Sequence, residues 1–302
     1  MKRIRFPSAL RENFTSNGGK LTIASLVPDN MTIQSSPDKA AIPFISIVIA
    51  SLNRHDELTK CLASIDNALQ KKRQTCEVII VDQSPKRYVA STSYSYPVTI
   101  IASAPGASHA RNIGLQHCTG DYIWFLDDDA QVVHFLPFSQ SQLDGQPILF
   151  AQWKERPCPA RRNLYGGFLS RLWLIRISGT PFYLLPRHLA LKSGGFDERI
   201  GPGREIAAGE DLDLLIRTST LSRMKQPVIF IAELSHPNNR PPVAKRMLYA
   251  RARGYVLARS QWQLAMAVEI IYSLMAGLRG DRHRICSVLT GYAEGLRMPR
   301  DT

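Results

Sequence analysis

The chain has 302 residues, 44% apolar and 21% charged, which is long enough to bury a full core and too ordinary in composition for a disordered or collagen-like protein. Lys and Arg number 38 against 25 Asp and Glu, and the formal net charge of +13 favours anionic partners: nucleic acid, anionic lipid or phosphorylated substrates. The five cysteines (Cys61, Cys76, Cys118, Cys158 and Cys286) are scattered and form no CxxC pair, so the expectation is a reducing compartment rather than a disulfide framework or a zinc site.

No targeting segment is expected, because no long apolar run follows the basic start MKRIRFPSAL. The longest apolar stretch, Leu264 to Leu278, is interrupted by Glu269 and falls short of the ~20 residues that span a bilayer. The expected location is the cytoplasm, with peripheral contact at the inner face of the cell membrane as an added option.

Residues 1–40 carry the breakers Asn17-Gly18-Gly19 and Ser35-Ser36-Pro37-Asp38 and no sustained period, so they read as a loosely packed extension. Phe44 to Ala50 is short, apolar and β-branched, the pattern of a buried strand. The polar break Ser51-Leu52-Asn53-Arg54 follows, and then Leu58, Cys61, Leu62, Ile65 and Leu69 recur at helical spacing. Glu77 to Val81 predicts a second strand ending at Asp82, and Val98 to Ile101 a third before the turn Pro105-Gly106. His109 to His117 predicts a short helix. Tyr122 to Leu126 predicts a fourth strand, ending in Asp127-Asp128-Asp129.

Near-continuous apolar strands that alternate with helices predict an α/β fold, a mostly parallel sheet covered on both faces. Ligands of such sheets bind beyond the carboxyl ends of the strands. Three of those ends are polar here and should meet in one crevice. Beyond residue 140 the pattern is weaker: strands are expected at Ile148–Ala151, Phe182–Leu185 and Val228–Ile231, a helix at Leu212–Leu221, and helix from Val243 onward.

Three constellations carry chemistry. Three adjacent carboxylates repel one another unless a cation or donors neutralise them, and oxygen-only ligands suit Mg²⁺ or Mn²⁺; the bland alternative is a solvated acidic turn. The segment Ala104 to Gly114 opens a helix with Ser108, Arg111 and Asn112 in its first turn, which reads as a phosphate site or as a plain junction capped by Ser108. Gly194-Gly195-Phe196-Asp197-Glu198, followed by Gly209-Glu210-Asp211, brings chain and carboxylates towards a ligand, with Asp211 as general base or simply as a helix cap.

Taken in order, Ala50 to Arg54, Val81-Asp82-Gln83-Ser84, Ala110-Arg111-Asn112-Ile113-Gly114, Phe125 to Asp129, Gly194 to Glu198 and Gly209-Glu210-Asp211 resemble the family 2 glycosyltransferases, over roughly residues 44 to 236. The resemblance implies a GT-A catalytic domain over 41–236 and an inverting transfer from a nucleoside-diphosphate-sugar to a hydroxyl of a glycan or lipid-linked acceptor, in cell-envelope or exopolysaccharide synthesis. It implies that Asp82 sits by the nucleotide base, with Asn53, Arg54, Arg111 and Asn112 on the donor side. Asp127 and Asp129 match the family's DxD element and imply Mn²⁺ or Mg²⁺, with His236 as a further ligand. Asp211 matches the catalytic base, and Glu210 stands beside it towards the acceptor. The chain departs from the D-x-S-x-D pattern of many relatives, since Lys86 stands where the second Asp would be.

Residues 237–302 form a basic C-terminal segment. Leu264, Val268, Ile271, Met275 and Leu278 make one apolar stripe, and Ile285, Val288, Leu289, Tyr292 and Leu296 a second. They read either as packing on the catalytic domain or a second subunit, or as lying on a membrane. The competing functions are a nucleotide-sugar-binding pseudoenzyme and a basic nucleic-acid-binding protein. No helix-turn-helix, zinc finger or aromatic-basic RNA motif supports the latter, so nucleic acid is not expected as a partner.

Overall fold

The structure is a computed structural model and describes residues 44–70, 74–90, 93–136, 138, 148–154, 179–222, 229–235, 242–260, 263–278 and 283–298. The extension expected at 1–40 and the candidate ligand His236 lie outside the described residues.

The N-terminal half follows the apolar runs: β1 (Ile45–Ser51), α1 (His55–Gln70), β2 (Cys76–Asp82), β3 (Val98–Ala102), α2 (Ala107–His117) and β4 (Tyr122–Asp127). Next come β5 (Gln131–Phe135), β6 (Leu149–Trp153), β7 (Tyr183–Pro186), α3 (Arg187–Lys192), α4 (Glu210–Leu221) and β8 (Ile229–Ser235). Three helices close the described chain: α5 (Val243–Arg259), α6 (Gln263–Leu278) and α7 (Arg284–Arg297).

The strands form one sheet in the order β3-β2-β1-β4-β7-β6-β8-β5. β1 lies parallel between β2 and β4, and β3 is parallel to β2. β7 runs antiparallel to β4 and to β6. β8 is parallel to β6, and β5 is antiparallel to β8. The mostly parallel α/β sheet is thus borne out, with β7 and β5 as its antiparallel members.

β5 is a strand that the sequence pattern does not announce. A register shift between Val132 and His134 breaks its period of two, and only Val132 and Phe135 face the core. α2 and α4 each begin two residues before their predicted starts. Ser108 does not cap α2: it is buried inside the helix, and its hydroxyl donates to the Ile200 carbonyl at 2.9 Å.

Side chains alternate across the sheet as a strand requires. Ile47, Ile49, Trp124 and Leu126 face Leu58, Leu62, Ile65 and Leu69 of α1. Val48, Val81 and Phe125 face Ala110 and Leu115 of α2 and Leu212 and Leu215 of α4. Tyr255, Val256, Leu257, Met266 and Val288 of the C-terminal helices join that second cluster, so their inner surface packs on the domain.

α5 and α7 meet through glycines. A Cβ on Gly254 would lie 2.0 Å from the Val288 carbonyl oxygen, and one on Gly291 would lie 1.8 Å from that of Arg251. Bare backbones in contact leave no room for side chains, and the crossing is fixed by Arg251, which donates to Glu294 at 2.8 Å and 2.9 Å.

Candidate active site

The parallel half of the sheet sets the site. Ser51 pairs with Asp82 and Ala50 with Asp127, so β2, β1 and β4 end level with one another. The chain leaves β1 towards β2 and β3 and returns to β1's other side as β4, which makes this the switch point where such sheets open a crevice.

The loops at that edge are laced together. Asn53 adopts the left-handed conformation (φ 55°), which Asn tolerates, and its amide donates to Ser84 Oγ at 2.7 Å. The Gly106 amide donates to Gln83 Oε1 at 2.6 Å, tying the start of α2 to the end of β2. Asp82 is fully buried and accepts from the amides of Ser84 (3.0 Å) and Tyr88 (2.6 Å). Burial would raise its pKa, but these hydrogen bonds outweigh it and hold the carboxylate below the usual range.

The acidic triplet occupies the tight turn between β4 and β5, closed by the Ala130 amide on the Asp127 carbonyl at 3.1 Å. Asp128 points inward. It accepts from Ser51 Oγ and from Arg54 Nη1, each at 2.9 Å. Burial, with the charges of Asp129 and Asp127, pushes its pKa up to about 6 against the pull of Ser51 and Arg54. Arg54 Nη2 donates to Asp129 at 2.5 Å, so one guanidinium serves both neighbours. Asp127 is the more open member, its side chain 37% exposed.

On the other flank, Arg111 is buried and donates to Asp127 Oδ1 at 3.1 Å and to Glu210 Oε1 at 3.0 Å. Thr180 Oγ1 donates to the same Asp127 oxygen at 3.1 Å. Glu210 and Asp211 stand in the first turn of α4, where a helix N-terminus favours negative charge. The Tyr183 hydroxyl donates to the Asp211 carbonyl at 2.8 Å, and Gly179 borders the Asp211 carboxylate. Burial, and then the charge of Glu210, raise the Asp211 pKa to about 7; the Leu212 amide, Arg111 and Arg253 pull the other way.

The structure therefore brings Arg54, Asp127, Asp129, Arg111, Glu210 and Asp211 to one edge of the sheet. Asn112 takes a different part. Its amide donates to the Phe196 carbonyl and Glu198 (both 2.9 Å) and accepts from the Phe196 amide (2.7 Å), so all of these bonds go to the Gly194–Glu198 turn. That turn approaches closely enough that a Cβ on Gly195, at φ 73°, would meet Asn112 Oδ1 at 2.5 Å. Thr180 and Tyr183 come from the stretch 140–205, where no sequence pattern pointed to them. A cleft of about 760 Å³ lined by Phe196, Asp197, Asp213, Arg217 and Arg259 shares no residue with the acidic cluster.

Carboxylate oxygens of Asp127 and Asp129 are hard donors suited to Mg²⁺ or Mn²⁺. Among the described residues no group of three His, Cys, Asp or Glu forms a ready-made cage. Two carboxylates still fit a cation that takes its remaining ligands from substrate phosphates and water, as Mg²⁺ commonly does.

Residues 46–134, which include β1, β4 and the acidic triplet, match the model for glycosyl transferase family 2. An uncharacterized glycosyltransferase of Haemophilus influenzae is 42% identical over 88 residues, 28% of this chain and 29% of that protein. Glycosyltransferase AglE of Haloferax volcanii is 30% identical over 97 residues, 30% of this chain and 32% of that one. The matched stretch thus spans under a third of either curated relative.

Among solved structures, the mannosyltransferase PcManGT of Pyrobaculum calidifontis, in complex with GDP-Man and Mn²⁺, superposes with a TM-score of 0.53 at 14% identity, covering 88% of this chain and 79% of that one. Residues 1–349 of S. aureus TarS, in complex with UDP-GlcNAc, give 0.50 at 14% identity, covering 84% and 76%. At such identities the likeness is one of fold, the GT-A type. The match to glycosyl transferase family 2 at 46–134 thus lies within a chain whose fold is of the GT-A type.

Proposed function

We propose that this protein transfers a sugar from a nucleoside-diphosphate-sugar to an acceptor hydroxyl with inversion at the anomeric carbon. The observation that carries the reading is the pairing of Asp127, at the switch-point edge, with the Glu210–Asp211 helix start through the single guanidinium of Arg111. In this reading Asp127 is the donor-side carboxylate and Glu210–Asp211 the acceptor-side pair. The nucleotide sugars bound to PcManGT and TarS support the donor class.

Asp127 and Asp129 would hold Mn²⁺ or Mg²⁺, which when bound supplies positive charge to the diphosphate leaving group. Asp211 removes the proton from the acceptor hydroxyl. That oxygen bonds to the anomeric carbon as the bond from carbon to diphosphate oxygen breaks on the opposite face, through an oxocarbenium-like transition state. Arg111 keeps Asp127 and Glu210 in place, and Asn112 holds the Gly194–Glu198 turn beside them. The acceptor in this reading is a glycan or lipid-linked sugar of the cell envelope or an exopolysaccharide, met at a membrane surface by a peripherally bound protein.

Calorimetric titration with UDP-, GDP- and dTDP-sugars, with and without Mn²⁺, tests the reading. Tight binding of one donor only with the cation supports it. Binding of none under either condition, or salt-sensitive binding of DNA instead, would overturn it.

A further inference from the structure

Helix α6 (Gln263–Leu278) is turned inside out. Among its described side chains the exposed ones are Ala267, Ile271, Leu274, Met275 and Leu278, with Ile271 57% and Leu278 90% exposed. Their steps of three and four residues place them on one face, and none of them is polar. The one charged residue of the helix, Glu269, is buried. It accepts from Arg284 at 2.6 Å and stands 3.9 Å from Arg253. A helix packed in water normally exposes its charges and buries its apolar stripe. Here the inner side is satisfied by Ala265, Met266 and the Glu269 ion pairs, so the outer stripe is not needed for packing on the domain.

Two features say what covers that face. Helices α5, α6 and α7 carry seven Lys and Arg against two Asp and Glu, and both acids are engaged: Glu269 with Arg284 and Arg253, Glu294 with Arg251. Lys245 and Arg297 are exposed. A second copy of this chain would add its own positive surplus to that of these helices, which disfavours self-pairing. Moreover, at 16 residues α6 is short of the ~20 that span a bilayer, and among the described residues no helix is long and apolar enough to cross one. An apolar face on a set of three helices with a net positive charge, too short to span, fits the headgroup boundary of an anionic bilayer, with the helix lying in its plane.

We infer that the outward face of α6 docks this protein onto anionic lipid. This deepens the membrane contact proposed above and gives it a surface and a lipid class. A lipid-linked acceptor would then be met by an enzyme already held at the plane in which that acceptor moves.

The test is co-sedimentation of the full chain with vesicles of phosphatidylcholine, alone or mixed with phosphatidylglycerol, at low and at physiological salt. The mixed vesicles should bind the wild-type protein at low salt, and binding should weaken as salt rises. Replacing two exposed leucines (L274Q with L278Q) should lower partitioning by at least ~10-fold. The matching pair V243Q with L248Q, on the exposed side of α5, should leave it unchanged. Failure of the wild-type chain to bind mixed vesicles, a measurement that needs no variant, overturns the inference. So does equal binding by L274Q/L278Q, equal binding to phosphatidylcholine alone, or a solution dimer that L274Q/L278Q dissolves. Donor binding measured on the same preparations keeps the two readings apart: vesicle binding without nucleotide-sugar binding would remove the transferase reading and leave the membrane face standing.

Discussion

Arg111 donates to Glu210 at 3.0 Å, across 99 residues of sequence, with the same guanidinium that holds Asp127. Removing a cation shared by two carboxylates leaves both uncompensated. Arg111→Met should therefore lower unfolding stability by about 3 kcal/mol, the low end for breaking a buried pair because Asp127 is partly open to solvent. Chemical denaturation reads this directly. A variant as stable as the wild type would show that the bridge is dispensable.

Asp129→Ala should remove the stabilisation that a nucleoside diphosphate gives in the presence of Mn²⁺, a mass-action shift of a few kcal/mol at saturating ligand. The turn is otherwise held by the Ala130 amide and by Arg54 on Asp128, so the melting temperature without ligand should change little. Thermal melts with and without nucleotide and Mn²⁺ separate the two effects.

Asp211→Asn should leave donor affinity intact and lower turnover by at least ~100-fold, the low end for loss of a general base. With a pKa raised to about 7, the wild-type carboxyl is protonated below that pH and competent as a base above it. The wild-type kcat/KM should rise with pH through that value, and the residual rate of the variant should lack the step. Stability runs the opposite way. The folded carboxyl holds its proton up to about pH 7, whereas the unfolded one loses it near the ordinary value of about 3.9. This group's contribution therefore falls as pH rises across that window, and Asp211→Asn should abolish that part of the decline. Urea titrations at several pH values measure it.

Gly291→Ala should cost about 1–3 kcal/mol by overpacking, because the added methyl would overlap the Arg251 carbonyl across the α5–α7 crossing. Circular dichroism melts of the variant check it, and an unshifted melt would mean that the two helices can part cheaply.

The parallel half of the sheet was legible because β1, β2 and β4 are buried on both faces and read as unbroken apolar runs. β5 was not: it pairs at the sheet edge, and its register shift scrambles the alternation that marks a strand. At the site, Asp127 to Asp129 and Glu210-Asp211 announced themselves as adjacent charges. Thr180 and Tyr183 carry no such mark and acquire their parts only when β7 is laid antiparallel beside β4. Arg111 and Asn112 stood out in the sequence as donor-side candidates, but spacing alone could not show that they bond to protein groups, since their partners come from distant segments. Of the stripe read on α6, Ile271, Met275 and Leu278 are exposed, Val268 is half-buried and the Leu264 side chain lies outside the described ones; the direction of the stripe depended on Glu269 finding Arg284, which no periodicity encodes.

Val288 lies in the same buried cluster as Leu212 and Leu215 of α4, and Gly209 at the start of α4 borders Ala252 and Val256 of α5, so the helical layer on that side of the sheet is finished by the most distal helices of the described chain. Domains assemble as the ribosome releases them, N-terminal parts first. The early strands are thus covered by α2 and then α4, but the outer side of the α4 start stays bare until α5 and α7 arrive. During that interval the nascent protein is a natural client for chaperones, and a premature stop before α7 would yield an insoluble fragment rather than a smaller working enzyme.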